Sequence, residues 1–314
     1  MIGERSIAVI GAGMAGLSCA RRLAAAGLSP VIFDKGRGVG GRLATRRTFE
    51  GLQFDHGAQY VTARKDGFRK LLAEMRQAGV ADVWEDSACS KRFVGKPGMT
   101  ALAKHLAEGL DVRANVEISN ISGSTAGWII TTGTEKLNFQ RVVITAPAQQ
   151  AAVLLGPTHA LAADLEAVEI NPCLTLMAAF GSGQPEPFVT RRDPEDPLSW
   201  IALNSAKPAR PAPPCWVAQA GPKWSAAHLE AAPAVIAQQM LRLLCDRLGT
   251  DPTTVRYAVA HRWRYANVAE PLGRPFLRDE TGTLYLGGDW CLEARVEAAW
   301  TSGVAIAQDM LQGM

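Results

Sequence analysis

The sequence predicts an α/β fold in which a Rossmann-type parallel sheet is combined with a second, mostly antiparallel β-sheet. A β-branched run at residues 6–10 leads directly into the glycine-rich GAGMAG motif at residues 11–16. From about residue 147 prolines become frequent and strand-like runs recur, and at residues 284–311 a strand is again followed by a helix. The chain of 314 residues suits about two domains of ~150 residues each. We therefore expect the first domain to be discontinuous in sequence.

The N-terminal segment predicts a β-α-β unit. The helical pattern at residues 17–26 stops at Gly27, and residues 31–34 form a second strand-like run. Turn residues and apolar periodicity then define the elements up to residue 147. Strands are expected at residues 53–60, 112–116, 127–132 and 141–145, and helices at residues 67–78 and 100–108.

The middle of the chain predicts a separate antiparallel sheet that is covered by one helix. This helix, at residues 234–248, carries Ile236, Met240, Leu243 and Leu244 on one face, which would pack against the sheet. The strands of the sheet are expected at residues 173–180, 198–203, 215–220 and 255–265, and the C-terminal strand and helix at residues 284–288 and 296–311.

Composition argues against several classes of function. The 33 basic and 30 acidic residues leave a net charge of +3 on scattered side chains, which argues against nucleic acid as a partner. The uncharged residues 142–163 contain two prolines, two glutamines and a histidine, so we expect no membrane span there. The N-terminus lacks a basic region and an A-x-A cleavage site, which favours a cytoplasmic location. The six cysteines form no C-x-x-C pair, so neither a disulfide scaffold nor a metal site is expected.

The GAGMAG motif has the spacing of a dinucleotide-binding turn. Gly11 permits the tight turn from strand to helix, Gly13 lets backbone N–H groups reach a pyrophosphate, and Gly16 allows the helix to pack against the strand. The helix N-terminus then faces the negative charge of the phosphates. Asp34 follows eighteen residues after Gly16, where a carboxylate can accept hydrogen bonds from the adenosine ribose. These features alone leave open whether the dinucleotide is NAD or FAD.

Two further motifs extend this site. The KGRGVGGR run at residues 35–42 is a second glycine-rich loop, and its Arg42 supplies a positive charge for pyrophosphate or the flavin edge. The YLGGDW motif at residues 285–290 precedes the last helix. Its Asp289 is a candidate for binding ribityl or pyrophosphate groups, and the N-terminus of that helix suits the charge that develops on a reduced flavin.

Together these motifs resemble the FAD-dependent amine-oxidase-like flavoproteins and, within them, the short bacterial renalase group. The resemblance rests on GAGMAG, FDKGRGVGGR, FDHGAQY, GKPGM, AHRWRY and YLGGDW, which extend over nearly the whole chain. It implies a fold like that of p-hydroxybenzoate hydroxylase, with noncovalently bound FAD. It also implies an FAD-binding domain of residues 1–60, 95–150 and 275–314, and a substrate-capping domain of residues 61–94 and 151–274.

The resemblance further implies an oxidase. Members of the renalase group oxidise the 2- and 6-dihydro isomers of NAD(P)H and pass the electrons to oxygen, which gives hydrogen peroxide. The partners implied are a dinucleotide substrate and oxygen, with the chain a monomer or weak dimer. On the substrate side, the motifs assign Tyr60, Asn204 and His261. By motif, the cofactor positions are Gly11, Gly13, Ala15, Gly16, Asp34, Lys35, Gly41, Arg42, Val116, Gly288, Asp289, Arg295 and Val296.

Alternatives remain open at this stage. Tyr60 and His261 also fit as core residues, and Asn204 fits as a turn residue. Trp263 shares a strand face with His261, so both line the pocket or both belong to the core. Lys207 is expected to be a solvated lysine. A flavin amine oxidase, with an amine held between aromatic rings, and a noncatalytic sensor that binds FAD or NAD are the competing functions.

Overall fold

The structure is a computed structural model that describes residues 7–85, 91–124, 127–133, 135–211 and 213–314. Short strands build several sheets. In chain order they are β1 (Ile7–Ile10), β2 (Pro30–Asp34), β3 (Thr45–Arg47), β4 (Gln53–Asp55), β5 (Ala81–Trp84), β6 (Arg92–Gly95), β7 (Asp111–Ala114), β8 (Asn120–Ser124), β9 (Gly127–Thr131), β10 (Lys136–Phe139), β11 (Arg141–Ile144), β12 (Glu169–Phe180), β13 (Thr190–Arg192), β14 (Trp200–Leu203), β15 (Cys215–Gln219), β16 (Val255–Glu270), β17 (Leu277–Arg278) and β18 (Leu284–Leu286).

Helices cover the sheets and connect their strands. They are α1 (Met14–Ala25), α2 (Asp66–Gln77), α3 (Thr100–Ala107), α4 (Ala148–Leu155), α5 (Ala162–Glu166), α6 (Pro222–Ala227), α7 (Pro233–Leu248) and α8 (Val296–Gln312), with short 3-10 turns at Asn204–Ala206, Pro252–Thr254 and Asp289–Cys291.

The first sheet has the order β17-β18-β11-β1-β2-β7 and is parallel except at its β17 edge. Its central strands β18, β11 and β1 are almost entirely buried, as expected of a parallel sheet with both faces covered, whereas the edge strand β7 is partly exposed. The sheet draws strands from both ends of the chain, which confirms the predicted return of the C-terminal segment. Helices α1 and α8 pack so closely that a Cβ atom at Gly303 would lie 2.1 Å from the Ala15 carbonyl oxygen, and only glycine permits this approach.

The second large sheet, β13-β14-β15-β12-β16, is antiparallel throughout, as predicted. Strands β12 and β16 keep a regular register between Cys173 and Ala179, so side chains there alternate between two faces, and the register shifts lie outside this stretch. One face, with Leu174, Leu176 and Ala218, packs against the apolar stripe of α7. The other face carries Thr175 and His261, which are directly opposite each other on β12 and β16. We call this second face the His261 face.

One predicted strand is shorter than expected. Residues 53–60 alternate like a strand, yet only Gln53–Asp55 form one, in the hairpin with β3. The chain then turns along the second glycine loop, where the Ala58 N–H donates to the Arg42 carbonyl oxygen at 2.8 Å. A Cβ atom at Gly57 would lie 2.0 Å from that same oxygen. This close approach of two backbones takes residues 56–60 out of any sheet ladder.

Other boundaries differ by a few residues, and β16 continues five residues beyond its predicted end at residue 265. Several short elements, including α4, α5, β5 and β6, were not predicted. Within the described ranges, no helix combines the length and apolar character that crossing a membrane requires.

Candidate active site

The turn between β1 and α1 is shaped for close contact with a ligand. A Cβ atom at Gly16 would lie 1.9 Å from the Gly11 carbonyl oxygen, so Gly16 is required for the packing of the turn itself. A Cβ atom at Gly13 would meet no atom within 4 Å, so this glycine borders open space. Gly13 is also the N-cap of α1, and no side chain there accepts the first N–H groups of the helix. The turn therefore offers a helix N-terminus without a side-chain cap beside an open cradle, which fits a pyrophosphate.

The second glycine loop closes over this turn. The Gly40 N–H donates to the Ala12 carbonyl oxygen at 2.8 Å. A Cβ atom at Gly41, whose φ is +51°, would come within 3.6 Å of the Gly13 Cα. The two loops thus face each other across the cradle, as the sequence predicts for a long dinucleotide.

Asp34 lies at the carboxyl end of β2, where its carboxylate is fixed by backbone donors. The Ala12 N–H donates to Oδ2 at 2.6 Å and the Gly36 N–H donates to Oδ1 at 2.7 Å. A carboxylate has about four acceptor positions, so capacity remains for ribose hydroxyls. Two other predicted cofactor residues lie nearby: the Val116 N–H donates to the Asp34 carbonyl oxygen at 2.9 Å, and the exposed Lys35 faces Glu117 at 3.9 Å.

We expect Asp34→Ala to weaken FAD binding by about tenfold to a hundredfold, because charge-assisted hydrogen bonds contribute about 1.5–3 kcal/mol. Titration of the apoprotein with FAD, followed by flavin fluorescence, measures the effect. The Asp111→Ala variant is the control, since Asp111 is an exposed residue of the neighbouring strand β7. An unchanged FAD affinity in Asp34→Ala would remove this carboxylate from the site.

Arg42 and Asp289 join the second glycine loop to the C-terminal motif. The guanidinium donates to both Asp289 carboxylate oxygens at 2.7 and 2.6 Å, and to the Ala266 carbonyl oxygen at 2.9 Å. Such a bidentate pair fixes both side chains. Asp289 follows Gly288, whose N–H donates to the Ser302 hydroxyl at 3.0 Å. The pair joins the two motifs that the sequence predicts to be cofactor-binding.

The N-terminus of α8 is anchored by its own side chains. Arg295, the N-cap residue, donates to the Thr62 hydroxyl at 2.7 Å and to Glu297 at 3.1 Å. The buried Glu297 carboxylate accepts the N–H groups of Arg64 and Lys65 at 2.7–3.0 Å. The predicted cofactor residues Arg295 and Val296 therefore begin a helix whose position is fixed relative to the segment that follows Tyr60.

The HGAQY segment, residues 56–60, lies against the His261 face. Trp200, Gln219, Thr175 and His261 form one row across four strands of this face, since each is directly opposite the next. The Gln219 side-chain amide donates to the Gly57 carbonyl oxygen at 2.8 Å. This row and the segment that packs on it form the candidate substrate site.

Two histidines and a tryptophan form an aromatic cluster in this site. The His261 ring is 4.3 Å from the Trp263 ring and 4.8 Å from the His56 ring, and the indole N–H donates to the His56 carbonyl oxygen at 2.8 Å. His261 and Trp263 thus belong to the same aromatic cluster, as their shared strand face predicts. Burial, reinforced by the positive charge of Arg46, lowers the pKa of both imidazoles to about 4. Both are neutral at pH 7.

The lowered histidine pKa values predict a loss of stability in acid. Between pH 6.5 and about 4 the unfolded chain binds protons that the folded histidines do not. The free energy of unfolding therefore falls as the pH falls, by at most about 1.4 kcal/mol per pH unit per histidine. Thermal unfolding at pH 7 and pH 5 should show a smaller loss for a His56→Gln/His261→Gln double variant than for the wild type. A His105→Gln control should retain the wild-type loss, and an equal loss in all three proteins would contradict the assignment.

Lys207 corrects a prediction, because it is buried although the sequence predicts a solvated lysine. Its side chain is fully buried, 3.4 Å from Asp55 Oδ2 and 3.1 Å from Gln59 Oε1. Asp55 also accepts two hydrogen bonds from the buried Arg210, at 2.7 and 3.1 Å. Burial lowers the pKa of Lys207 to about 8, against the attraction of Asp55. Burial alone would raise the pKa of Asp55. The positive charges of Lys207 and Arg210 outweigh this effect and hold that pKa below its usual value.

The other two predicted substrate residues have different surroundings. Asn204 is fully buried at the start of a 3-10 turn, where its amide donates to the Gln53 carbonyl oxygen at 2.9 Å and accepts the Asp55 N–H at 3.2 Å. Tyr60 is half-buried, with its ring 5.6 Å from the Trp200 ring. The guanidinium of Arg92 lies 4.3 Å from the Tyr60 ring and 5.1 Å from the Trp200 ring.

Sequence reasoning missed several residues of this site. Asp55, His56 and Gln59 belong to the same FDHGAQY motif as Tyr60, so their closeness to Tyr60 in the sequence could have identified them as candidate site residues. Thr175 and Gln219 carry no motif, and only the strand register places them beside His261.

Comparison with known proteins agrees with this geometry. A family described as flavin containing amine oxidoreductase matches residues 78–311, and an NAD(P)-binding Rossmann-like domain matches residues 9–75. The first match spans most of the chain. The protein belongs to the flavin-containing amine oxidoreductase family. It is an FAD-dependent oxidoreductase, and the glycine cradle and Asp34 are the features of the structure that fit FAD.

Solved structures share the fold of this flavoprotein at low sequence identity. A protein described as a protoporphyrinogen oxidase from Exiguobacterium sp. 255-15 superposes over 100% of both chains with a TM-score of 0.80 and 14% identity. Wild-type putrescine oxidase bound to putrescine matches 98% of this chain and 99% of its own, with a TM-score of 0.73 and 14% identity. Cyclohexylamine oxidase from Brevibacterium oxydans IH-35A matches the same shares, with a TM-score of 0.75 and 12% identity.

Proposed function

We propose that this flavoprotein oxidises the 2- and 6-dihydro isomers of NAD(P)H to NAD(P)⁺, with oxygen as the final acceptor. The bound FAD would supply hydride acceptance at N5 and two-electron transfer to oxygen, which yields hydrogen peroxide. The residues that would hold it are the Gly13 cradle, Asp34, the Arg42–Asp289 pair and the start of α8. The His261 face would hold the dihydropyridine ring.

The observation that carries the proposal is the position of Arg92. Amine oxidation needs a neutral amine held near the flavin, commonly between aromatic rings. Here the guanidinium of Arg92 already lies against both the Tyr60 ring and the Trp200 ring. A second cation, Arg46, acts on the pKa of His56 and of His261. Simple amines are ammonium ions in solution at pH 7, so this positive potential disfavours their capture and favours a substrate that carries phosphate groups.

The neutral imidazoles also suit a dihydropyridine. Its ring nitrogen assists departure of the hydride, so the protein needs only to orient the ring and exclude water. His56 and His261 remain uncharged at neutral pH and can hydrogen-bond a polar ring substituent such as a carboxamide. Trp263, stacked on His56 at 5.4 Å, supplies apolar surface for the same ring.

Product analysis in air tests this proposal. We expect the purified holoenzyme to convert both dihydro isomers to NAD(P)⁺ with one hydrogen peroxide formed per substrate, and to leave putrescine and benzylamine unchanged. Peroxide formation with either amine, at a rate that exceeds the rate with the isomers, would favour amine oxidation instead.

We expect His261→Ala to slow hydride transfer by about tenfold to a hundredfold while FAD stays bound, because a misplaced ring loses its reactive geometry. Stopped-flow absorbance of the flavin band measures the reduction rate, and the 280 nm to flavin absorbance ratio measures retained FAD. His228→Ala is the matched control, since His228 stacks on Trp224 at 3.9 Å, away from the His261 face. A wild-type reduction rate in His261→Ala would remove this residue from the substrate site.

A further inference from the structure

Arg46 lies on the side of the β3–β4 hairpin that faces the candidate substrate site. It is directly opposite Phe54 in the hairpin, so both side chains project to the same side. The Phe54 ring stacks on Tyr257 at 5.2 Å, and Tyr257 shares the face of β16 with His261 by the alternation of the strand. The effect of Arg46 on the pKa of His56 and of His261 agrees with this placement.

The other arginines near this site have partners, whereas Arg46 does not. Arg42 pairs with Asp289, Arg210 pairs with Asp55, and Arg92 lies over two aromatic rings. Within the described ranges, the half-buried Arg46 makes no side-chain hydrogen bond and no ion pair. Its five N–H donors are therefore left for a ligand.

The imidazoles of the site leave the positive charge of Arg46 uncompensated. Burial lowers the pKa of His56 and of His261 to about 4, so both rings are neutral at pH 7.

We infer that Arg46 forms an anion subsite that binds a phosphate oxygen of the substrate. The planar guanidinium matches phosphate in shape and charge. The inference rests on the proposed function, since it names the group by which a phosphorylated dihydronicotinamide is held. It makes Arg46 a specificity residue that separates phosphate-bearing hydride donors from the corresponding riboside.

The test compares Arg46→Gln with Arg47→Gln in the FAD-loaded enzyme. Arg47 is the matched control, because it is the next residue of β3, is exposed and donates to Gln53 at 3.1 Å. ADP-ribose serves as an unreactive phosphate-bearing probe, and its binding is followed by the change that it causes in the flavin absorbance. We expect its dissociation constant to rise about tenfold in Arg46→Gln, which corresponds to one charge-assisted hydrogen bond. No change is expected in Arg47→Gln.

Reduction kinetics give a second readout. Arg46→Gln should raise the concentration for half-maximal reduction by the dihydro dinucleotides and leave that for the dihydronicotinamide riboside unchanged. Equal ADP-ribose affinity in both variants, no ADP-ribose binding by the wild type, or loss of FAD from Arg46→Gln would each overturn the subsite. If ADP-ribose binding depends on Arg46 but no dihydronicotinamide reduces the flavin, the proposed function fails and the subsite stands.

Discussion

Gly13→Val is expected to abolish FAD binding while the apoprotein folds normally. The Cβ atom of Gly13 would meet nothing within 4 Å, so the valine side chain fits the apoprotein and occupies the cradle instead of the pyrophosphate. We expect the FAD dissociation constant to rise roughly a hundredfold or more, equivalent to about 3 kcal/mol. Apoprotein titration with FAD measures this loss, and thermal unfolding of the apoprotein measures the fold.

Two further glycines make this prediction specific. Gly133 also borders open space, in the turn between β9 and β10, so Gly133→Val should leave both FAD binding and stability unchanged. Gly16→Val should destabilise the apoprotein, because its Cβ atom would lie 1.9 Å from the Gly11 carbonyl oxygen. A Gly13→Val protein that purifies with a full complement of FAD would show that the cradle does not bind the cofactor.

Asp55→Ala is expected to destabilise the protein by about 3–5 kcal/mol, because it leaves buried charges without a counterion. Lys207 and Arg210 are both fully buried and both contact the Asp55 carboxylate. Chemical denaturation of wild type and variant measures the free energy of unfolding. Asp82→Ala is the control, since Asp82 is 38% exposed and its contacts to Lys96 and Arg76 contribute less than about 1 kcal/mol.

A double variant separates the loss of charge balance from the loss of packing. If the unpaired lysine causes the instability, Asp55→Ala/Lys207→Met should be more stable than Asp55→Ala alone, because one buried cation has been removed. Additive losses in the double variant, or a loss in Asp55→Ala no larger than in Asp82→Ala, would show that the ion pairs contribute little.

The parallel sheet and its glycine turn could be predicted because local signals agree there. The β-branched run of β1, the three glycines and Asp34 each indicate the same β-α-β unit. The antiparallel sheet was also predictable from its alternating strands. Residues 56–60 could not be placed correctly from the sequence, because their alternating apolar and polar side chains resemble a strand. The close approach of Gly57 to Arg42, which keeps them out of a sheet, is a tertiary contact that local sequence does not reveal.

The candidate substrate site was less predictable than the cofactor site. Lys207 has the sequence context of an exposed lysine, and its burial depends on Asp55 and Gln59, which are about 150 residues away in the chain. His261 gained its neighbours Thr175 and Gln219 from strand register, which a single sequence does not specify. Helix and strand periodicity therefore predicted which elements form, and long-range pairing decided which side chains meet.

The most direct test of the proposed function is the visible spectrum of the FAD-loaded protein under anaerobic conditions, before and after addition of each hydride donor. The 2- and 6-dihydro isomers of NAD(P)H are compared with ordinary NADH and with benzylamine. Rapid bleaching of the flavin band by the isomers, and not by NADH or benzylamine, is the expected result. A bound flavin that is bleached by benzylamine, or by none of these donors, would contradict the proposed oxidation of dihydronicotinamides.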